Sequence, residues 1–206
     1  MSKEVVTMEI VFIRHGQTDL NKSGRIQGSS VNLSLNKEGR EYAEEAAKNF
    51  DPSEFDAVYV SPLDRAVETA EIFTKGQKKL IPDDRLLEFD YGEWDGELLT
   101  EMKKRHPDAI DPWGKVAKNY VDYASNGETH EELNKRCGDF LDEMYKKYPD
   151  GKVLVVAHGT LIRMMAAHYL THGDISGFDT IANCGLVKFS VRENIARMIY
   201  YNRILA

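Results

Sequence analysis

The stretch KVLVVAHGTLIR, residues 152–163, decides the fold class of this chain. Its first half is a short run of β-branched and other apolar residues, a pattern typical of a strand that is buried on both faces of a sheet. A histidine and a glycine interrupt the run, and an apolar segment of helical character follows as far as Leu170. A buried strand that leads directly into a helix is the repeating unit of an α/β protein with a largely parallel sheet.

The same order of strand and helix recurs in FDAVYVSPLDRAVETAEIF, residues 55–73. Residues 55–60 predict the strand. Ser61 is expected to be the N-cap of the helix, with Pro62 at its first position and Asp64 closing a capping box. The helix would then begin immediately after the strand, as it does in the first stretch.

The remainder of the chain fits the same α/β plan. A third buried strand, MEIVFI at residues 8–13, ends beside Arg14 and His15. The other predicted elements are helices at 35–50 and 129–148, a mostly helical region at 97–126, a short or edge strand at the start of 78–96, and a terminal hairpin formed by 185–191 and 196–202.

Length and composition favour one globular domain, residues 1–206, that is 42% hydrophobic and 30% charged. The net charge of −7 argues against binding to nucleic acid or to an anionic membrane surface, both of which demand a basic surface. No apolar run approaches the length of a membrane span, and the N-terminal residues lack the pattern of a signal peptide. With Cys137 and Cys184 as its only cysteines, both expected to be reduced, the chain is expected to be cytoplasmic.

Basic side chains follow three of the predicted strands: Arg14 with His15, then Arg65, then His158. Because the carboxyl ends of parallel strands lie along one edge of the sheet, these four side chains are expected to meet in one crevice. Arginine forks match phosphate oxygens, and the N–H groups that begin a helix at Gly159 favour an anion. The expected partner is therefore a small phosphorylated substrate.

A zinc site is the alternative for two histidines with carboxylates nearby. The flanking arginines would repel a dication, and the histidines lack the H-x-x-x-H spacing of a zinc helix, so no metal and no other cofactor is expected. A neutral histidine can instead attack phosphorus itself. The leaving oxygen then needs a proton donor, and spacing alone does not choose among Glu88, Asp90, Glu93 and Asp95.

Four segments of the chain resemble the signature segments of the histidine phosphatase superfamily, the phosphoglycerate-mutase-like group. They are RHGQTDLN with IQG in 14–28, SPLDRAVETA in 61–70, LLEFDYGEWDG in 86–96 and VVAHGTLIR in 155–163. The segments occur in the family's order and span nearly the whole chain. The resemblance implies a three-layer α/β/α sandwich with a mostly parallel central sheet and a helical lid insertion at about residues 91–127.

The resemblance also implies the roles of individual residues. His15 matches the histidine that becomes phosphorylated, and Glu88 matches the acid–base carboxylate, which selects one of the four acidic candidates. The residues that match the phosphate pocket are Arg14, Asn21, Gly28, Arg65, His158 and Gly159. From the residues alone, Asn21 is equally well explained by an Asx-turn.

The two histidines are expected to have opposite duties. Neighbouring positive charge should keep the attacking nitrogen of His15 unprotonated, while a backbone carbonyl holds the proton on its other ring nitrogen. His158 is expected to donate a hydrogen bond to the transferring group and to be open to protonation.

The resemblance implies a phosphomonoesterase that acts through a phosphohistidine on His15. Phosphoryl transfer of the phosphoglycerate mutase type is the alternative, and a binding or regulatory protein with little turnover is a third reading. Mutases of the family carry an adjacent arginine pair in the lid and an asparagine at the position of Thr160, whereas residues 91–127 hold only the run Lys103-Lys104-Arg105. EFDYGEWDG is similar to broad-specificity and α-ribazole phosphatases, so a metal-independent phosphatase is preferred. A homo-oligomer is compatible with the sequence, which does not determine the oligomeric state.

Several conspicuous residues are expected to have no role in the chemistry. The basic run 103–105 is expected to be a solvated helix face. The remaining histidines are expected to be structural or solvated, and the two tryptophans to pack in the interior, one of them with a place at the substrate slot: His106, His130, His168, His172, Trp94 and Trp113.

Overall fold

A six-stranded sheet lies at the centre of the computed structural model, which describes residues 6–193 and 195–206. The first five residues, on which the expected lack of a signal peptide partly depends, lie outside the described residues. The strands are β1 (Met8–Arg14), β2 (Ala57–Val60), β3 (Leu80–Pro82), β4 (Lys152–Ala157), β5 (Leu186–Arg192) and β6 (Ile195–Arg203). The α-helices are α1 (Asp19–Lys22), α2 (Lys37–Lys48), α3 (Asp64–Thr74), α4 (Leu99–Arg105), α5 (His130–Lys147) and α6 (Gly159–Thr171).

The order of strands in the sheet is β3-β2-β4-β1-β5-β6. The first four strands are mutually parallel, β5 is antiparallel to β1, and β6 is antiparallel to β5. The sheet is therefore mostly parallel, as the sequence predicts. In the pairing of β1 with β4, Arg14 lies opposite Ala157. This register makes the next residues, His15 and His158, neighbours at the same edge of the sheet.

Apolar residues on the two faces of the sheet form two separate core clusters. Val153 and Val155 of β4 face a cluster that includes residues of α5 and α6. Leu154 and Val156 alternate with them and face a cluster that includes residues of α2 and α3. Alternation along a strand therefore produces helices on both faces of the sheet, which confirms the expected sandwich.

The start of α3 differs from the expected one, and the difference matters for the site. Ser61 is not the N-cap, because α3 begins at Asp64 after Leu63, which makes no side-chain capping contact. The Ser61 hydroxyl is instead fully buried and lies 2.7 Å from Nε2 of His158. The extended turn at residues 61–63 thus delivers a polar group to a histidine rather than to a helix.

The lid insertion, residues 91–127, contains α4 and several short 3-10 turns, so it is less regular than the sequence predicts. The basic side chains at 103–105 are exposed, as expected. Trp94 is 3% exposed and packs in the core, whereas Trp113 is 81% exposed, so the expectation that it packs is wrong. Trp113 lies in a tight hairpin whose N–H groups are held by the carboxylate of Asp111, and this hairpin projects into solvent. Among the described residues, no helix has the length and apolar character that crossing a membrane requires.

Candidate active site

A cavity of about 920 Å³ opens at the carboxyl edge of the central strands. Five of the residues chosen from the sequence line it: Arg14, His15, Asn21, Glu88 and Gly159. The other three, Gly28, Arg65 and His158, do not contribute to its lining. Arg65 and His158 are fully buried beside it. The structure therefore brings the nucleophile and acid candidates into one cavity and places part of the predicted phosphate pocket in its wall.

The imidazole of His15 is fixed in one orientation. Its Nδ1 lies 2.7 Å from the carbonyl oxygen of Gly16, and since a carbonyl only accepts, Nδ1 carries the proton. The other nitrogen, Nε2, is then left with its lone pair free for attack. Gly16 is itself anchored, because its N–H donates to the Thr69 hydroxyl at 2.9 Å. This is the tautomer that nucleophilic attack requires.

The charge state of His15 also suits a nucleophile. Burial holds the pKa of His15 well below its usual range, and the positive charges of Arg65 and Arg14 add to the effect, while the contact with Gly16 opposes it. The ring is therefore neutral at neutral pH. This agrees with the expectation that adjacent cations keep the attacking nitrogen unprotonated.

Unpaired donors converge on the space in front of His15. Arg14 donates from Nη1 to the carbonyl of Ile181 at 2.6 Å, but its buried Nε has no acceptor among the described residues. A Cβ built on Gly159 would lie 3.3 Å from that Nε, so the two residues are in close approach. The N–H of Gly159 begins α6 and likewise has no acceptor in the described part of the chain. Buried donors without acceptors cost free energy unless a ligand satisfies them.

Gln27 is a third such donor, and sequence reasoning missed it. Its Oε1 accepts from the Thr18 hydroxyl at 2.8 Å and from Nδ2 of Asn21 at 3.2 Å, which orients the amide. Its buried Nε2 has no acceptor among the described residues, and the side chain lines the cavity. The available signal was the segment IQG, from which only Gly28 was chosen.

Asn21 has the local role and the site role at once. It is the third residue of α1, and its side chain accepts from the N–H of Thr18 in a capping box. The same side chain lines the cavity and holds Gln27. The Asx-type reading and the phosphate-side reading are therefore compatible.

His158 differs from its expected state. Its Nδ1 accepts from Nε of Arg65 at 3.2 Å, and its Nε2 lies 2.7 Å from the Ser61 hydroxyl. Burial holds the pKa of His158 well below its usual range, and Arg65, His15 and Arg14 lower it further. The expectation that His158 is open to protonation is therefore wrong for this structure. The ring is fully buried, and the neighbouring arginines and His15 disfavour a positive charge on it.

Arg65 connects three parts of the site through its hydrogen bonds. Besides His158, it donates from Nη1 to the Val31 carbonyl at 2.6 Å and from Nη2 to the Gly28 carbonyl at 3.1 Å. Burial lowers the pKa of Arg65 to about 10, so it stays charged at neutral pH. The ring centroids of His15 and His158 are 5.2 Å apart, and the charge of Arg65 acts on both rings. A phosphoryl group on His15 would lie within reach of this positive field.

Gly28 contributes close packing rather than a cavity surface. A Cβ at this position would lie 2.6 Å from the Phe89 carbonyl oxygen, which is closer than side-chain atoms tolerate. Its carbonyl is one of the three acceptors that hold Arg65. The glycine therefore positions an arginine, which is an indirect contribution to the predicted pocket.

Glu88 is the one member of the acidic loop that lines this cavity. Its Oε1 accepts from the N–H groups of Phe89 and Leu161 at 2.8 and 3.0 Å, and its Oε2 accepts from Thr160 at 3.1 Å. The carboxylate thus lies on the amino terminus of α6, where backbone donors and the helix dipole favour an anion. Asp90 accepts from the N–H of Gly92, Asp95 accepts from the N–H of Ser30, and Glu93 is exposed.

Arg136 of α5 holds the loop that carries Glu88. It donates to the carbonyls of Arg85, Leu87 and Glu88 at 2.8, 2.8 and 3.2 Å. It also forms an ion pair with Glu128, with Nε at 2.6 Å from Oε1. Sequence reasoning did not single out this residue, because an arginine in an amphipathic helix has no local pattern that marks it as a clamp.

Two of the histidines that were expected to be structural or solvated line the cavity, and one of them, His172, is exposed to solvent as expected. They are His130 at the start of α5 and His172 at the end of α6. His106 stacks on Trp94, and His168 contacts Asn134 at 2.9 Å, as structural residues do. The cavity also has Tyr91 and Thr160 in its lining, with their hydroxyls 2.8 Å apart. In the described residues, no group of three or more His, Cys, Asp or Glu side chains is placed to hold a metal ion.

Comparison with known proteins gives a family match over almost the whole chain. The family model described as histidine phosphatase superfamily (branch 1) matches residues 10–203. The uncharacterized phosphatase PhoE of Bacillus subtilis (strain 168) is 34% identical over 171 residues, 82% of this chain and 78% of that protein. Phosphoserine phosphatase 1 of Hydrogenobacter thermophilus is 30% identical, covering 77% and 74%. The metal-independent phosphoserine phosphatase of Arabidopsis thaliana is 33% identical, covering 90% and 77%.

Solved structures share the fold. The phosphoglycerate mutase of Bacillus anthracis superposes with a TM-score of 0.82 at 23% identity, covering 98% of this chain and 96% of that one. The α-ribazole phosphatase of Shigella flexneri superposes with a TM-score of 0.79 at 21% identity, covering 95% and 96%. Phosphatases and a mutase therefore share this backbone, and at these identities the likeness establishes the fold alone.

Proposed function

The chain belongs to the histidine phosphatase superfamily (branch 1) and is a phosphatase, and we propose that it hydrolyses a small phosphorylated metabolite through a phosphohistidine on His15. One observation carries the proposed nucleophile. His15 is neutral, its Nδ1 is held by the Gly16 carbonyl, and its Nε2 faces a cavity with unpaired cationic and amide donors.

In the first step, Nε2 of His15 attacks phosphorus and the bond from phosphorus to the ester oxygen breaks. The phosphoryl oxygens are taken by Arg14, Gln27 and the N–H of Gly159, which line the cavity and have donors without acceptors among the described residues. Arg65 supplies positive charge from the wall of the cavity, and the neutral ring of His158 holds Arg65 in place by accepting from its Nε. Stabilisation by pre-placed donors is the main source of catalysis in phosphoryl transfer.

Glu88 is the proposed acid for the leaving oxygen. Three backbone N–H groups donate to its carboxylate oxygens, and the proton for the leaving oxygen is proposed to arrive with the ligand. A phosphomonoester that binds as a monoanion can pass its proton to Glu88, which then delivers it to the departing alcohol. In the second step, Glu88 takes a proton from water, the resulting hydroxide attacks phosphorus, and the bond to His15 breaks to release phosphate.

The mutase alternative is weaker. A mutase must hold the dephosphorylated substrate until the phosphoryl group returns, and the family's mutases use a lid arginine pair that residues 91–127 lack. The relatives described above are named as phosphatases. Two of them are phosphoserine phosphatases, so phosphoserine is a reasonable first substrate to test.

The decisive experiment combines turnover with trapping of the intermediate. The purified protein should release phosphate from p-nitrophenyl phosphate in excess EDTA, because cations of the chain itself neutralise the phosphoryl charge. A reaction quenched with base and denaturant should show one phosphoryl group on His15 that is stable in base and is lost on later treatment with acid. His15→Ala should abolish both, whereas His168→Ala, which is remote from the cavity, should abolish neither.

Two results would overturn the proposal. One is activity that EDTA abolishes and added zinc or magnesium restores. The other is a phosphoryl group found on His158 or a serine during turnover, which would reject His15 as the nucleophile.

A further inference from the structure

The cavity contains more positive side chains than one phosphoryl group uses. Its lysines and arginines are Arg14, Arg25, Lys115, Lys118 and Arg163. None of these five forms an ion pair with a carboxylate in the part of the chain that the structure describes, although twelve ion pairs form elsewhere. In a chain with a net charge of −7, unpaired cations collected in one cavity indicate an anionic ligand with more than one charged group.

Arg163 is the cation best fixed for such a group. It lies on α6 four residues after Gly159, on the same side of the helix, so the two Cα atoms are about 6 Å apart along the axis. Its Nε donates to the Phe178 carbonyl at 2.9 Å and its Nη2 to the Ile175 carbonyl at 3.3 Å. The remaining nitrogen, Nη1, donates to no group among the described residues. The fork is thus held by the fold while one donor stays open.

Two further basic groups lie beside Arg163 on other elements. His130 is at the start of α5, and Lys118 is in the lid insertion. Burial lowers the pKa of His130 first, and the nearby charges of Arg163 and Lys118 lower it further. Three elements that are distant in sequence therefore bring two cationic side chains and a histidine to the lining of the same cavity.

The carboxylates in the lining form no ion pair with Arg163 or Lys118 in the described residues, although the charge of Asp174 acts on Lys118 and His130 and that of Glu131 acts on His130. Glu88 already accepts three backbone hydrogen bonds, and one oxygen of Asp111 accepts from two N–H groups of its own hairpin. Asp174 accepts from the N–H of Ser176, and Glu131 is exposed. No carboxylate oxygen lies within 4.0 Å of Arg163 or Lys118 in the described residues.

We propose that Arg163, Lys118 and His130 form a subsite for a second anionic group of the substrate, a carboxylate or a second phosphate. The proposal rests on the proposed phosphatase function and specifies its substrate class. The Arg14 and His15 end takes the phosphoryl group, and the Arg163 end takes the other anion. The substrate is then a small phosphomonoester whose carbon skeleton bears another negative charge, rather than a neutral sugar or aryl phosphate.

Matched substrate pairs test this directly. Phosphoserine and phosphoethanolamine share the phosphate and the amine but differ in the carboxylate, and 3-phosphoglycerate and glycerol 3-phosphate differ in the carboxylate without an amine. Glucose 1,6-bisphosphate and glucose 1-phosphate test a second phosphate. In at least one pair, kcat/KM should favour the member with the second anion by on the order of 10-fold to 100-fold, the usual value of hydrogen bonds to charged groups.

The variants assign the preference to the subsite. Arg163→Gln should bring the kcat/KM ratio of the favoured pair towards one, and Arg105→Gln, an exposed arginine of α4, should leave the ratio as in the wild type. If Arg163→Gln fails to fold, Lys118→Gln in the exposed lid gives the same ratio test.

The possible outcomes separate this inference from the function on which it rests. Ratios near one in every pair, turnover of p-nitrophenyl phosphate alone, or a ratio that survives the Arg163 and Lys118 substitutions would overturn the subsite and leave the phosphatase standing. An enzyme that hydrolyses none of these esters, p-nitrophenyl phosphate included, would refute the proposed function itself.

Discussion

Replacement of Arg136 by methionine should uncouple the proposed acid from the rest of the site. Arg136 makes three hydrogen bonds to carbonyls of residues 85–88 and an ion pair with Glu128. Methionine keeps much of the apolar stem but removes all of these contacts. The loop that carries Glu88 then loses its attachment to α5, while the residues that hold the phosphoryl group are untouched.

The structure sets the size of the two effects. The Arg136 and Glu128 side chains are 20% and 13% exposed, so the substitution leaves a mostly buried carboxylate without its partner. Breaking a buried pair in this way costs roughly 3–5 kcal/mol of the free energy of unfolding. Because the pair is partly exposed, the expected loss is at the lower end, about 3 kcal/mol. A domain with a stability of about 5–15 kcal/mol remains folded at 25 °C after such a loss. General acid catalysis contributes on the order of 100-fold to 10,000-fold, and this contribution is the most that kcat/KM can lose when Glu88 no longer acts as the acid.

The assay compares leaving groups. Urea unfolding should give the stability loss, and kcat/KM should fall far more for alkyl phosphates, whose leaving oxygen needs a proton, than for p-nitrophenyl phosphate. Glu88→Gln should give the same leaving-group pattern with a smaller loss in stability, because its amide nitrogen cannot accept the hydrogen bond from Thr160. Arg136→Lys should be intermediate because it keeps the charge without the fork. Lys135→Ala breaks the exposed pair with Asp139 on the same helix and should change neither readout. If Arg136→Met is destabilised but loses activity equally for all leaving groups, Arg136 is a structural residue and the coupling to Glu88 is refuted.

Two further predictions concern the buried cation and the buried histidines. Arg65→Lys should fold but lower kcat by on the order of 100-fold, because one ammonium group cannot replace the three directed donors that hold His158, Val31 and Gly28, and full activity in this variant would show that the fork is not used. The pKa values of His15 and His158 are held below that of an unfolded histidine, so the folded state binds fewer protons than the unfolded state. The free energy of unfolding should therefore fall as the pH drops below about 6.5. For the two rings together, the fall is up to about 2.7 kcal/mol per pH unit. Urea titrations at about pH 7 and pH 5.5 check this, and equal stabilities would contradict the buried neutral state.

The sequence predicts the fold to the extent that local patterns determine it. The strand at 152–157 is found as predicted, since a continuous β-branched run in an α/β order has one favourable solution. The helix predicted from residue 129 is also found, because the capping box of Thr129 and Glu132 that begins α5 depends on four consecutive residues. Ser61 shows the limit of such reasoning. As a capping candidate it is indistinguishable from a true N-cap, and only the register of β2 and β4 shows that its hydroxyl meets His158.

The residues of the candidate site also divide into those that local sequence patterns predict and those that they do not. Residues at strand ends, such as Arg14 and His15, can be chosen from sequence because topology brings them together. Arg136 and Arg163 make contacts with partners more than ten residues away, and no spacing in the sequence marks them. Gln27 was open to selection because it lies beside Gly28 in the segment IQG. The protonation of His158 is the opposite case. Its residue type was chosen correctly, but its charge state depends on burial and on three neighbours that only the assembled structure reveals.

The unfavourable features of the ligand-free site have a common explanation. Nε of Arg14 and Nε2 of Gln27 are buried donors without acceptors, each costing roughly 1–3 kcal/mol, and two histidines are held neutral beside buried guanidinium groups. A phosphoryl group in front of His15 would satisfy the donors and offset the concentrated positive charge at the same time. Arg14 is positioned at the end of β1 by the pairing with β4, and Gln27 is oriented by Thr18 and Asn21. The cost of these unpaired donors and the proposed affinity for a phosphoryl group therefore arise from the same contacts.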